Sequence, residues 1–133
     1  MTQKEFVDKF MLTFTSHLPE KVLKKFRIGN REKDFLWNLF GAKLIDCYEG
    51  DAARKEYNKA DKLEAIEILY SGHNKVLRDE EETTPLKPEH MTAEGVDEAG
   101  LPEFYIIGKD FSWCYVITHE FDLCGPYFCY KPN

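Results

Sequence analysis

An α+β fold, with N-terminal helices packed on a C-terminal antiparallel sheet, follows from two patterns at opposite ends of the chain. Apolar residues recur at helical spacing through the first forty residues, whereas Phe104 to Ile107, Phe111 to Thr118 and Pro126 to Tyr130 form short aromatic runs separated by turn residues. Helices first and strands last is the order of an α+β domain rather than of βαβ units. At 133 residues, with 43% hydrophobic and 14% aromatic content, the chain suits one domain spanning 1–133 whose core needs neither disulfides nor metal.

Thr2 with Glu5 three residues on is a capping box, and Phe6, Val7, Phe10, Met11 and Phe14 then mark one face of an amphipathic helix. Pro19 opens a second, short helix with Val22, Leu23 and Phe26 on one side and Gly29-Asn30 as its stop. A third helix is expected over Glu32 to Phe40, burying Phe35, Leu36, Leu39 and Phe40 beside Trp37. Asp51 caps a helix through Ala52, Ala53 and Tyr57. Asp61 with Glu64 offers another capping box ahead of Leu63, Ile66, Leu69 and Tyr70, with Gly72 as the stop. The run from Glu64 to Tyr70 also alternates as a strand would, and helix is the preferred reading. The sheet is then a three-stranded meander, or four strands if residues 62–70 join it.

Residues 79–102 hold Pro85, Pro88, Gly95, Gly100 and Pro102 among few apolar side chains, and read as a long acidic loop without internal structure. From Asp79 to Glu103 there are nine acids against Lys87 alone, a net of −8 in a chain of net −6. Residues 20–33 sum instead to +4 through Lys21, Lys24, Lys25, Arg27, Arg31 and Lys33. An acidic loop laid across this basic helix face is one way the two would meet. Beyond the loop, Gly108-Lys109-Asp110 is read as a hairpin turn and Phe121 to Gly125 as a second connection.

The composition sets limits on function. Excess acid argues against a nucleic-acid partner. No run approaches the ~18 apolar residues of a membrane span, and the amphipathic start is no signal sequence. Four cysteines without an export signal fit reduced thiols in a cytoplasm. Phosphate-binding glycine loops, Gly-x-Ser-x-Gly elbows and His-Glu-x-x-His motifs do not occur.

One titratable pair stands beside the aromatic strands. His119 and Glu120 follow the strand ending at Thr118, and a histidine oriented by an acid can serve as general base near neutral pH. Period-2 alternation puts Trp113, Tyr115, Ile117 and His119 on one face, with Cys114, Val116, Thr118 and Glu120 on the other. Cys114, His119, Cys124 and Cys129 fall at intervals of five, but that step reverses the face of a strand and argues against zinc. Cys114 and its fellows read as small buried hydrophobes, and Cys47 has no histidine nearby in sequence. His17, His73 and His90 sit in polar or turn-like contexts and read as surface residues.

The run Phe111-Ser112-Trp113-Cys114-Tyr115-Val116-Ile117-Thr118-His119-Glu120, followed by Gly125-Pro126-Tyr127-Phe128, resembles a group of small bacterial proteins of no assigned activity. They share a Trp-led strand ending in Thr-His-Glu and then Gly-Pro-Tyr-Phe. The resemblance covers the last thirty residues, with a weaker echo in Leu36-Trp37 and Asp51-Ala52. It implies a bacterial, cytoplasmic source and marks Trp113, His119, Glu120, Gly125, Pro126 and Tyr127 as positions of interest.

The expectation is a non-enzymatic interaction module, of regulatory or toxin-neutralising type, without cofactor or metal. It would present its acidic loop and aromatic sheet edge to a protein or small ligand, with Trp113, Tyr115 and Tyr127 as binding residues. The alternative is a small hydrolase-like enzyme with His119 as general base, Glu120 orienting it, and Trp113 and Tyr127 walling the substrate. An open sheet edge also admits a homodimer.

Overall fold

A computed structural model describes residues 1–24, 40, 43–69, 82–118 and 125–132. Within them lie helices α1 (Gln3–Thr15), α2 (Glu20–Lys24), α3 (Asp51–Lys59) and α4 (Ala93–Ala99). The strands are β1 (Tyr48–Glu49), β2 (Ile66–Leu69), β3 (Thr84–Pro85), β4 (Phe104–Ile107), β5 (Trp113–Ile117) and β6 (Tyr127–Tyr130). They form one antiparallel sheet in the order β1-β6-β5-β4-β2-β3. No described helix is long and apolar enough to cross a membrane.

The alternation along β4, β5 and β6 sorts the core into two halves, because successive side chains leave a strand on opposite faces. On one face Tyr105, Ile107, Cys114, Val116, Tyr127 and Cys129 pack against Phe6, Phe10 and Phe14 of α1. The rings of Phe6 and Tyr105 meet edge-on at 5.6 Å, and those of Phe10 and Phe14 lie 4.9 Å apart. On the other face Phe104, Ile106, Trp113, Tyr115, Ile117 and Phe128 meet Ala53 and Tyr57 of α3 and Val96 of α4. Tyr57 stacks on Tyr115 at 4.2 Å and 4°, and Trp113 on Phe128 at 5.5 Å and 22°.

The start of α1 forms as its residues dictate. Thr2 Oγ1 accepts from Glu5 N at 3.2 Å while Thr2 N donates to Glu5 Oε1 at 3.0 Å, which closes the capping box. Pro19 precedes α2, as expected. The third helix expected over 32–40, apart from Phe40, which is helical and buried, and the 121–125 connection, apart from Gly125, fall outside the described residues, as does most of the basic face at 20–33.

Two expectations are corrected. First, the sheet has six strands among the described residues rather than three or four, and residues 66–69 are strand, not helix. Asp61 does not start a helix: its Oδ1 accepts from Leu63 N at 2.9 Å, and Glu64 has φ 58°, so the chain turns and enters β2. Lys62 reinforces this exit by donating Nζ to the carbonyls of Tyr57 at 2.5 Å and Ala60 at 2.9 Å, covering the end of α3. Pairing of all four β2 residues with β4 then outweighs a local preference for helix.

Second, the described part of the acidic segment is structured. It contains β3, a 3-10 turn at Pro88–His90 and helix α4, which Thr92 caps by accepting from Gly95 N at 3.0 Å. Gly100, at φ 62°, ends α4 in the left-handed conformation that glycine adopts without strain. Leu86, His90, Ala93 and Val96 turn inward, Glu82, Glu89, Glu94, Asp97 and Glu98 stay outside, and Glu103 at the segment's end is buried. β4 and β5 form the expected hairpin at Gly108-Lys109-Asp110, which runs as a 3-10 turn over Lys109–Phe111 that buries Phe111 against Phe6. Gly108 is required there, because a Cβ would sit 2.3 Å from the Trp113 indole nitrogen.

Candidate functional site

The two ends of the sheet differ in chemistry. At the β3 end, Glu67 points from β2 to the same side of the sheet as α3 and α4. Its carboxylate is 3.0 Å (Oε1) and 3.2 Å (Oε2) from His90 Nδ1, and Oε1 also accepts from Lys87 N at 2.9 Å. Glu67 is 4% exposed and His90 6%. A carboxylate that can only accept requires Nδ1 to carry hydrogen, which leaves Nε2 as the acceptor nitrogen when the ring is neutral. Among the described residues Nε2 has no hydrogen-bond partner. The His90 ring packs edge-on against Phe104 at 5.3 Å, and its carbonyl accepts from the Tyr57 hydroxyl at 2.5 Å. A cleft of about 210 Å³ lies beside the pair, lined also by Glu82, Thr84 and Lys87.

One histidine thus links β2, α3 and the 3-10 turn through three kinds of contact. The same pair is what a buried acid in a strand needs, since an unpartnered carboxylate there would be costly. His90 is therefore not the surface residue its polar neighbours suggest: Glu67, 23 positions earlier, supplies the partner that makes its burial tolerable. The signal in the sequence was Glu67 itself, a lone acid between Ile66 and Ile68. The β3 end is further covered by the N-terminal residues, with Thr2 bridged to Glu82 and Thr83 N donating to Met1 O at 2.9 Å.

At the opposite end, β1 is a two-residue edge strand paired only with β6 among the described residues. Tyr48 of β1 and Tyr130 of β6 leave the sheet on one side, with rings 6.4 Å apart at 85° and Phe128 beneath both. They are 42% and 47% exposed. Together with Asp46 and Cys47 they line a groove of about 300 Å³. The Tyr130 hydroxyl donates to Glu56 Oε2 at 2.8 Å, and this bond, with burial and the Glu56 charge behind it, pushes the phenol up to about 12. Glu56 is itself within 3.4 Å of Lys59 Nζ. Burial, then the neighbouring Cys129, Glu49 and Asp46, pushes the Cys47 thiol up to about 11, so little thiolate exists there near neutral pH.

The residues singled out from sequence are distributed differently. His119, Glu120, Cys124 and His73 lie outside the described residues. Trp113, Tyr115 and Tyr127 are all buried. Trp113 and Tyr115 share the α3 face, as alternation predicts, whereas Tyr127 faces α1, so Trp113 and Tyr127 do not wall one cavity. Desolvation, and after it the nearby Asp97, raises the Tyr115 phenol, whose oxygen is enclosed without a hydrogen bond. Cys114 and Cys129 stand opposite each other on β5 and β6. Among the described residues no group of three or more histidine, cysteine, aspartate or glutamate side chains could hold a metal ion. His17 lies on the surface between α1 and α2.

The chain belongs to the DUF4275 family, a domain of unknown function, whose model matches residues 3–128. Neither a curated protein nor a solved structure matches it significantly.

Proposed function

We propose that this member of a family without an assigned activity is a non-enzymatic binding module of the bacterial cytoplasm, which docks a protein through the β1 edge of its sheet. The observation that carries this reading is the exposed pair of tyrosines at that edge. Tyrosines bury large area at little entropic cost and concentrate at the centres of interfaces. Strand edges that carry no partner are where a second chain adds. The rest of the aromatic inventory supports the choice by contrast, since Trp113, Tyr115 and Tyr127 serve the core. The His90–Glu67 pair is likewise accounted for as a tie between elements. A regulator or a toxin-neutralising partner fits such a module, and its acidic surface disfavours nucleic acid.

The test is site-specific photo-crosslinking in expressing cells. A photoreactive amino acid at position 48 should give one discrete adduct, and the same residue at Lys4, exposed on α1 near the opposite β3 edge, should not. No adduct from position 48, or equal adducts from both positions, would remove the reading. An adduct of twice the chain mass would identify the partner as a second copy.

A further inference from the structure

The groove between Tyr48 and Tyr130 has an electrostatic character that restricts what it can hold. The two rings meet edge to face at 85°, which leaves a corner between them, and the ring quadrupole makes an aromatic face attractive to a cation. The Tyr130 hydroxyl is turned toward Glu56, so the ring rather than the phenol oxygen is offered to the groove. Asp46 lines the same groove, is exposed, and forms no ion pair among the described residues. The groove itself is lined by no lysine or arginine among the described residues; Lys43 borders the neighbouring hollow, which shares Asp46 and Cys47, and Lys59 is engaged with Glu56. A carboxylate with no ion pair among the described residues, beside two tyrosine rings, complements an organic cation and repels an anion.

We infer that the Tyr48–Tyr130–Asp46 corner is a receptor for the cationic head of a lysine or arginine side chain, carried on a peptide segment of the docking partner that lies along the β1 edge. The inference rests on the binding-module reading for the source of the cation and on the corner's own geometry for its chemistry. Either cation meets this chemistry, since an ammonium addresses Asp46 as a point charge and a guanidinium can stack on a ring while pairing both oxygens of the same carboxylate; lysine is the simpler probe. The side-chain stem would cover the aromatic edge while its head meets Asp46.

The experiment follows the Tyr48 and Tyr130 ring signals by NMR while an N-acetylated, C-amidated Ala-Ala-Lys-Ala-Ala peptide is added. A matched peptide with norleucine in place of lysine and n-butylammonium alone serve as the other arms. Saturable shifts at both rings, with the norleucine peptide and the free amine each at least about fivefold weaker, are expected. Asp46→Asn should weaken the lysine peptide about threefold without touching the core, and Tyr48→Leu about fivefold. Equal affinity for the norleucine peptide would make the groove merely apolar and overturn the inference. Equal affinity for n-butylammonium would replace the peptide by a small amine, also overturning it. A position-48 adduct without lysine selectivity leaves the docking face standing and removes only the cation. Lysine selectivity without any adduct removes the docking reading instead.

Discussion

The β3 end of the sheet turns its charge inward and satisfies it, while the β1 end leaves aromatic rings in solvent. Glu67 spends its acceptor capacity on His90 Nδ1 and the Lys87 amide, and residues 1–2 cover the strand beyond. Tyr48 and Tyr130, by contrast, make ring contacts with one another and with Phe128 but bury only about half of their surface. The difference separates side chains that specify the fold from side chains available for something else. A histidine beside a carboxylate is a familiar mark of catalysis, yet here the pair has enough structural duties to explain it. A pair of half-exposed tyrosines is a weaker motif, yet beyond the Tyr130–Glu56 bond and the contacts with Phe128 the described fold gives those two rings no further duty.

The largest effect that could break this contrast is at Glu67. Glu67→Ala leaves His90 and the Lys87 amide buried without their acceptor and should cost about 3 kcal/mol of stability, read from the denaturant midpoint. A loss near zero would mean that the pair is not a structural tie and would reopen a functional role for His90. At the other edge the Cys47 thiol, raised from 9.0 to about 11, should hold about a hundredfold less thiolate below pH 9 than an ordinary cysteine. Its iodoacetamide labelling, followed by mass spectrometry in the native chain, should rise about tenfold per pH unit from 8 to 10 and level off only near 11. Levelling near 9 would place Cys47 in a wetter, less acidic setting.

Tyr57→Phe sharpens the contrast on the inner side. It removes the bond to the His90 carbonyl but keeps the stack on Tyr115, so a loss of about 1 kcal/mol is expected in the same assay. The smallest effect belongs to the exposed edge, where Tyr48→Ala should change stability by less than about 0.5 kcal/mol. A larger loss would place Tyr48 among the structural residues and weaken its reading as a docking side chain.

What the sequence could show depended on how local the deciding interaction was. The capping box at Thr2 and Glu5 spans three residues, and the two faces of β5 follow from alternation alone, so both were legible. Thr92 and Gly100 are the caps of α4, but with only Ala93 and Val96 to bury, its helical face was too small to stand out in an acidic segment. Residues 66–69 satisfied either period, and only pairing with β4, some forty residues downstream, decided for strand. The exposed tyrosine pair was not legible at all: Tyr48 meets Tyr130 across 82 positions, and nothing near either one announces the other.

The amino-acid order by itself therefore determined the α+β class, the first helix, and which side chains of the central strands share a face, because caps and periodicities act over a few residues. The tertiary structure alone decided that His90 is buried against Glu67, that Trp113, Tyr115 and Tyr127 belong to the core, and that Tyr48 and Tyr130 remain outside. Burial is a property of the assembled sheet: which rings are covered is set by the strand order and by the helices laid over each face, and neither is encoded within any short stretch of the chain.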